Sequence, residues 1–154
     1  MRTGLEAVLQ RNQLQAGDIK YIIASGMITS NLGIYEVPHI DGPAHVCDFS
    51  RHAKIVKFEE FFNITWIFIP GLKNATQYVD DEIIGHINEF DIMRGEEVEA
   101  IGLLNQFNVQ GKGIVILPGS HTKFVFITED RVLSSCLSTR RRNALCNSER
   151  DYSF

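Results

Sequence analysis

Residues able to do proton and phosphate chemistry concentrate between Asp91 and Lys123. Asp91-Ile-Met-Arg94-Gly95-Glu96-Glu97 leads into Ala100, Ile101, Leu103 and Leu104, good helix formers placed behind two carboxylates that suit the positive end of a helix dipole. The pattern predicts a helix with both acids in its first turn. Further on, Ile114-Val-Ile-Leu117 is an unbroken apolar run. It predicts a strand covered on both faces, stopped by Pro118-Gly119. The turn of Gly119, Ser120, His121 and Thr122, with Lys123 behind it, lets backbone approach a ligand and offers amide, hydroxyl and imidazole donors to an anion. A carboxylate at a helix start near such a turn suits phosphoryl transfer, the acid taking the proton of an attacking hydroxyl while the donors hold phosphates. Spacing alone leaves a second reading open, in which the acids only complement the dipole and Pro-Gly-Ser is only a loop.

Other elements must hold these groups in place. Leu5, Val8 and Leu9 sketch a short amphipathic helix reaching Gln13 and ended by Gly17-Asp18, and Tyr21-Ile-Ile-Ala24 reads as a strand closed by Ser25-Gly26. That places Thr29, Ser30 and Asn31 near a sheet mouth, either as ligand donors or as caps of a following helix. Ile64 to Ile69, with Trp66 and Phe68, is a second buried strand stopped by Pro70-Gly71. Two strand-Pro-Gly layouts suggest two strand ends facing one cleft. Thr122–Thr128 and Arg131–Ser138 read as a hairpin joined through Glu129-Asp130. Between Tyr35 and Asn63 the Pro, Gly and charged residues mark loops around one or two strands, with no chemistry assigned. Lys73 and Asn74 could reach an anion and Asp80, Asp81 and Glu82 could help hold Mg²⁺, but such residues also fit a solvated surface.

A chain of 154 residues with 44% hydrophobic content can bury one ordinary core. Its net charge of −4 and pI near 5.7 argue against nucleic acid or an anionic membrane as partner, the local Arg140-Arg141-Arg142 run aside. The start lacks an apolar signal core and the densest apolar run is far too short to span a bilayer, so a cytoplasmic location is expected. Cys47, Cys136 and Cys146 are odd in number and lack close pairing, which fits a reducing compartment. His39, His45, Cys47 and His52 are metal-capable within fourteen residues, yet their spacing matches no familiar zinc module, and no metal ligand is assigned.

Four blocks carry a family resemblance: Ala24-Ser-Gly-Met-Ile-Thr-Ser-Asn31, Ile69-Pro-Gly-Leu-Lys73, Met93-Arg-Gly-Glu-Glu97 and Leu117-Pro-Gly-Ser-His-Thr-Lys123. In this order and with these gaps they resemble the signature blocks of 2-dehydro-3-deoxygalactonokinase, from about Leu5 to Thr139. The resemblance implies an α/β fold, part of an actin/hexokinase/Hsp70-like (ribonuclease H-like) ATPase domain with a mixed sheet and flanking helices. It also implies ATP and Mg²⁺ as cofactors and transfer of the γ-phosphate to the terminal hydroxyl of 2-dehydro-3-deoxy-D-galactonate. In related sugar kinases a Gly-Asp pair opens the helix and its acid is the general base. Gly95-Glu96 stands in that place here, so Glu96 is the expected base, while Glu97 points about 100° around the helix. Ser30, Asn31 and Arg94 are the expected sugar-acid contacts, Arg94 through a two-pronged clamp on the carboxylate unless it pairs with Glu97 or Asp91. Gly119, Ser120, His121, Thr122 and Lys123 are the expected phosphate contacts.

The departures from the family pattern also carry expectations. Members open with a strand bearing an Asp-x-Gly phosphate loop and continue past this point with a Met-(Ser/Thr)-Gly-Glu segment and a second domain. Neither stretch occurs here. Residues 1–139 are thus expected to form a partial N-terminal domain, and residues 140–154, which lack any apolar period, a disordered and unrelated tail such as a frame change would give. The chain by itself is expected to be inactive. The alternative is a non-catalytic remnant that at most binds a sugar acid or nucleotide weakly. A homo-oligomer, or a partner supplying the missing domain, would cover the apolar faces and the strand edge near Tyr21 that such a piece exposes.

Overall fold

The computed structural model describes residues 2–74, 90–119, 121–129 and 133–140. Alternating apolar positions build its first sheet, in the order β1 (Tyr21–Ala24), β4 (Thr65–Phe68), β3 (Lys54–Lys57), with β1 parallel and β3 antiparallel to β4. Register sets Ile22 beside Trp66 and Trp66 beside Val56, and Ala24 beside Phe68. This face is buried under an aromatic cluster in which Trp66 stacks on Phe68 at 5.7 Å and Phe58 meets both rings edge-on. Each large ring buried there contributes about 2–3 kcal/mol. Side chains one residue out of phase point the other way, leaving Tyr21, Ile23 (60% exposed) and Ile55 (71% exposed) as the expected bare apolar face.

Two further sheets enclose the larger core. β2 (Ile40–Asp41), β5 (Leu72–Lys73) and β6 (Ile92–Met93) form one, and β7 (Gly113–Leu117), β8 (His121–Ile127) and β9 (Leu133–Arg140) form an antiparallel other. Paired backbone bonds between Ala44 and Leu133 tie them together. Helix α1 (Arg2–Arg11) lies mostly exposed, α2 (Val46–His52) buries Phe49, and α3 (Glu96–Gln106) presents Glu97, Ala100, Ile101 and Leu104 inward at helical spacing. Leu72, Met93, Val125 and Leu133 fill the space between.

The mixed α/β class, the strands at Tyr21 and Thr65, the helix at Glu96 and the hairpin of β8 and β9 match the sequence reading; Asp130 lies outside the described residues. Several details differ. β7 is covered on one face only: Ile114 and Ile116 face outward, and only Val115 and Leu117 pack on the core. The first helix stops at Arg11, ahead of Gly17-Asp18, which sit in a separate 3₁₀ turn. No α-helix follows Asn31 directly. Gly26–Thr29 form a 3₁₀ turn, in which Thr29 Oγ1 and Ser30 Oγ donate back to the carbonyls of Gly26 and Met27. The region from Tyr35 to Asn63 holds β2 and β3 as the expected strands, but also the helix α2. His45 and Asp48 cap α2 reciprocally, the His45 N–H donating to the Asp48 carboxylate at 2.8 Å and Cys47 N–H to His45 Nδ1 at 3.2 Å.

Candidate active site

Three chain segments line a cleft of about 920 Å³: Ser25–Met27 at the end of β1, Asp91–Glu99 at the amino end of α3, and Leu117–Lys123 between β7 and β8. Ligand sites of open α/β sheets form where strands end in this way. The first two segments touch through bare backbone. Gly26 has φ +82° and Gly95 φ +119°, and a Cβ on Gly95 would stand 3.2 Å from Gly26 Cα. Only glycine fits both the angle and the approach, so this crossing fixes where α3 begins relative to β1.

Arg94 secures the same junction. Its Nη1 donates to the Thr29 carbonyl, to Thr29 Oγ1 at 2.8 Å and to the Val37 carbonyl at 3.0 Å, and its Nη2 lies 3.0 Å from His39 Nδ1. Neither Glu97 nor Asp91 is a hydrogen-bond partner of this guanidinium; Arg94 lines the cleft, with its guanidinium anchored inward. Burial, the Arg94 guanidinium and the Lys73 ammonium hold the His39 imidazole below its ordinary pKa, so His39 is neutral and accepts from Arg94.

The adjacent acids part company. Glu96 lines the cleft half-buried, and its Oε2 accepts from Arg94 N–H at 2.9 Å. Glu97 is fully buried, and both its oxygens accept from Gly95 N–H at 2.9 Å. Burial pushes its pKa up to about 7, with the Glu96 charge adding to the rise and the Gly95 amide and Arg94 opposing it. A carboxyl facing the cleft can take a proton from a ligand hydroxyl; one sealed in the core cannot reach it.

Lys123 is 7% exposed and its Nζ stands 2.6 Å from both Asp91 Oδ1 and the Ile92 carbonyl. Asp91 Oδ1 also accepts from Ile92 N–H, while Asp91 Oδ2 is buried without a partner among the described residues.

Of the expected site residues, Arg94, Glu96, Gly119, His121 and Lys123 come together in the cleft. Ser30, Asn31 and Thr122 are not among its lining residues; Ser30 is buried in its own turn, with Oγ accepting from Leu32 N–H, and Asn31 is exposed. Ser120, like Asp80, Asp81 and Glu82, lies outside the described residues. Gly119 has no positive φ, and a Cβ there would be 3.4 Å from the His121 carbonyl, an ordinary contact. The two Pro-Gly stops do not share a cleft: Pro70 and Gly71 are buried against Met93 and His39 because β5 turns inward between β2 and β6. His45 and His52 serve the ends of α2, and among the described residues no group of three metal-capable side chains gathers. Lys73 pairs with Asp41 at 3.3 Å on the surface. Sequence reasoning missed Glu97 as an interior group, although its i, i+3, i+4, i+7 spacing with Ala100, Ile101 and Leu104 marks it. It also missed the Asp91–Lys123 pair, whose members lie 32 residues apart.

The family described as 2-keto-3-deoxy-galactonokinase matches residues 1–137. A protein of Rhizobium meliloti (strain 1021), named as a probable 2-dehydro-3-deoxygalactonokinase, DgoK1, is 29% identical over 112 residues, covering 72% of this chain and 32% of its own length. The chain therefore spans about a third of that curated relative. A crystal structure described as a 2-dehydro-3-deoxygalactonokinase protein from Sinorhizobium meliloti superposes with a TM-score of 0.71 at 23% identity, over 100% of this chain and 45% of the other. That likeness shows the fold, a mixed α/β domain of the kind expected from the sequence.

Proposed function

Because the chain belongs to the 2-keto-3-deoxy-galactonokinase family, we propose that its cleft is the sugar-acid and phosphate side of a phosphotransfer site acting on 2-dehydro-3-deoxy-D-galactonate with ATP. Glu96 accepts the proton of the attacking terminal hydroxyl. Gly119 and His121 line the phosphate path, and Arg94, held by Thr29, Val37 and His39, shapes the wall at the sugar-acid end. The observation that carries this reading is that Glu96 lies at the amino end of α3 in the same cleft as the Pro118-Gly119 turn and His121. A half-buried carboxylate there is close to the positive helix end and keeps an ordinary first-turn geometry.

Mg²⁺ would enter with the nucleotide phosphates, which supply most of its ligands and whose charge it would offset. Asp91, Glu96 and Glu99 line the cleft, but Asp91 is paired with Lys123 and among the described residues no three such groups gather as a metal site, so they fit a nucleotide-borne ion better than a protein cage. Among the described residues no helix is long and apolar enough to cross a membrane. We place the protein in the cytoplasm, where ATP is found.

Arg94 and Lys123, the two cations best placed for an anion, are both bonded inside the protein. This favours a second reading, in which the chain binds a sugar acid or nucleotide weakly without turnover. Following ADP release from ATP, Mg²⁺ and the keto-deoxy acid, alongside calorimetry with each ligand, separates them. Turnover abolished in Glu96→Gln supports the first, binding without turnover supports the second, and neither binding nor turnover discards both.

A further inference from the structure

Lys123 stands on the strand that leaves the proposed phosphate turn, where a cation invites the role of phosphate ligand. Its surroundings argue otherwise. The ammonium is 2.6 Å from Asp91 Oδ1 and 2.6 Å from the Ile92 carbonyl, and the two side chains are only 8% and 10% exposed. Separating ions so well shielded leaves a buried charge uncompensated, and drawing Nζ toward a phosphate would strand Asp91, whose Oδ2 already lacks a partner among the described residues. The pair also joins two particular pieces of chain. Asp91 and Ile92 lead into β6, and three residues later the Gly26–Gly95 crossing starts α3 and presents Glu96. Lys123 follows Gly119 and His121 on the other wall.

We infer that Lys123 is a positioning residue: through Asp91 and the Ile92 carbonyl it clamps β8 to the segment entering α3, and so sets the separation between the wall that carries Glu96 and the wall that carries the Pro118–His121 turn. The inference deepens the phosphotransfer reading and rests on it for the ligands concerned. Displacement of a reacting group by an ångström is enough to cost about 10²-fold in rate, so a strut of this kind acts on turnover before it acts on affinity.

The test is a cycle of Lys123→Met, Asp91→Asn and the double variant in the full chain, read by thermal unfolding and by kcat and KM for ATP. Lys123→Met leaves a buried carboxylate unpaired, and a fall in Tm of roughly 10 °C is expected. With it kcat falls about tenfold or more while KM for ATP stays within about threefold. The double variant removes both charges, keeps an amide acceptor for Ile92 N–H, and recovers most of the lost Tm and kcat together. A phosphate ligand behaves differently: the double variant would regain Tm while KM for ATP stayed high, and Asp91→Asn, by releasing the ammonium, would tighten ATP. Either result overturns the inference, as do additive losses in Tm. If the wild-type chain shows no turnover, the outcome expected of the chain by itself, the thermal cycle alone decides whether the pair is the coupled strut described.

Discussion

Two pairs of look-alikes lie on opposite sides of the protein's surface. Pro70-Gly71 and Pro118-Gly119 both end apolar strands, yet Gly71 is sealed against Met93 and His39 while Gly119 borders the cleft. Glu96 and Glu97 are neighbours in one helical turn, yet one faces the cleft and the other the core. In each pair local chemistry is the same and tertiary packing assigns the role. The interior members are packed into the core and the cleft members are open to a ligand, a division of roles that substitutions can test.

The largest effect is expected at Gly71. A Cβ there would fall 2.4 Å from the Met93 carbonyl and 2.6 Å from His39 Cδ2, and His39 cannot swing away without leaving Arg94. Gly71→Ala should destabilise by about 3 kcal/mol or more, the upper range for overpacking a core. Chemical denaturation measures it; a loss under about 1 kcal/mol would mean that β5 yields and that the interior assignment of this stop is wrong.

That same stop shows where the sequence is legible. Apolar runs ended by Pro-Gly mark strand ends correctly at Phe68 and Leu117, because proline and glycine act on the backbone locally. What lies around the stop depends on β2, β6 and His39, which come from elsewhere in the chain. The same limit explains β7: four apolar residues in a row look buried on both faces, but only one sheet face meets a core here. It explains Arg94 and Lys123, whose charge suggested a ligand and whose partners Thr29 and Asp91 lie 65 and 32 residues away. Helix α2 was missed for a local reason, since its cap is a histidine within a stretch rich in proline and glycine. The first-turn position of Glu96 was legible because an acid after Gly95 at a helix start is a local pattern.

Glu97 provides the next test, through pH. Its folded pKa of about 7 lies above the ordinary 4.5, so the folded protein holds this proton more tightly than the unfolded chain does. Its favourable contribution is complete below about pH 4.5, is lost as pH rises through 7, and leaves a constant deficit of about 3 kcal/mol beyond. His39, depressed in the folded state, slopes the opposite way as pH falls below about 6.5, so wild type and variant must be compared at each pH. Glu97→Gln should gain on wild type between pH 5 and pH 8 by about that deficit. A constant difference across this range would show that Glu97 is ionised and solvated, and would undo the contrast with Glu96.

Glu96→Gln sharpens the contrast from the other side. Under the phosphotransfer reading it loses about 10²-fold or more in turnover, because an amide keeps the shape but cannot accept the proton. Its Tm should stay within a few degrees of wild type, since the Gln oxygen can still accept from Arg94 N–H. Retained turnover would move the base to another residue.

The smallest structural effect is expected at Gly119. The backbone there needs no positive φ, and an added Cβ would meet only the His121 carbonyl, at 3.4 Å. Gly119→Ala should therefore change stability by less than about 0.5 kcal/mol, the range of an ordinary surface substitution and several times less than Gly71→Ala. What it would alter is the shape of the cleft wall. A methyl group at that point stands where a phosphate must come close to the backbone, so KM for ATP should rise a few-fold with kcat nearly constant, the signature of weakened ground-state binding. Measuring both quantities on one preparation settles the matter. Equal damage to stability and to KM would make Gly119 a structural turn like Gly71, and the two Pro-Gly stops would then differ in burial without differing in role.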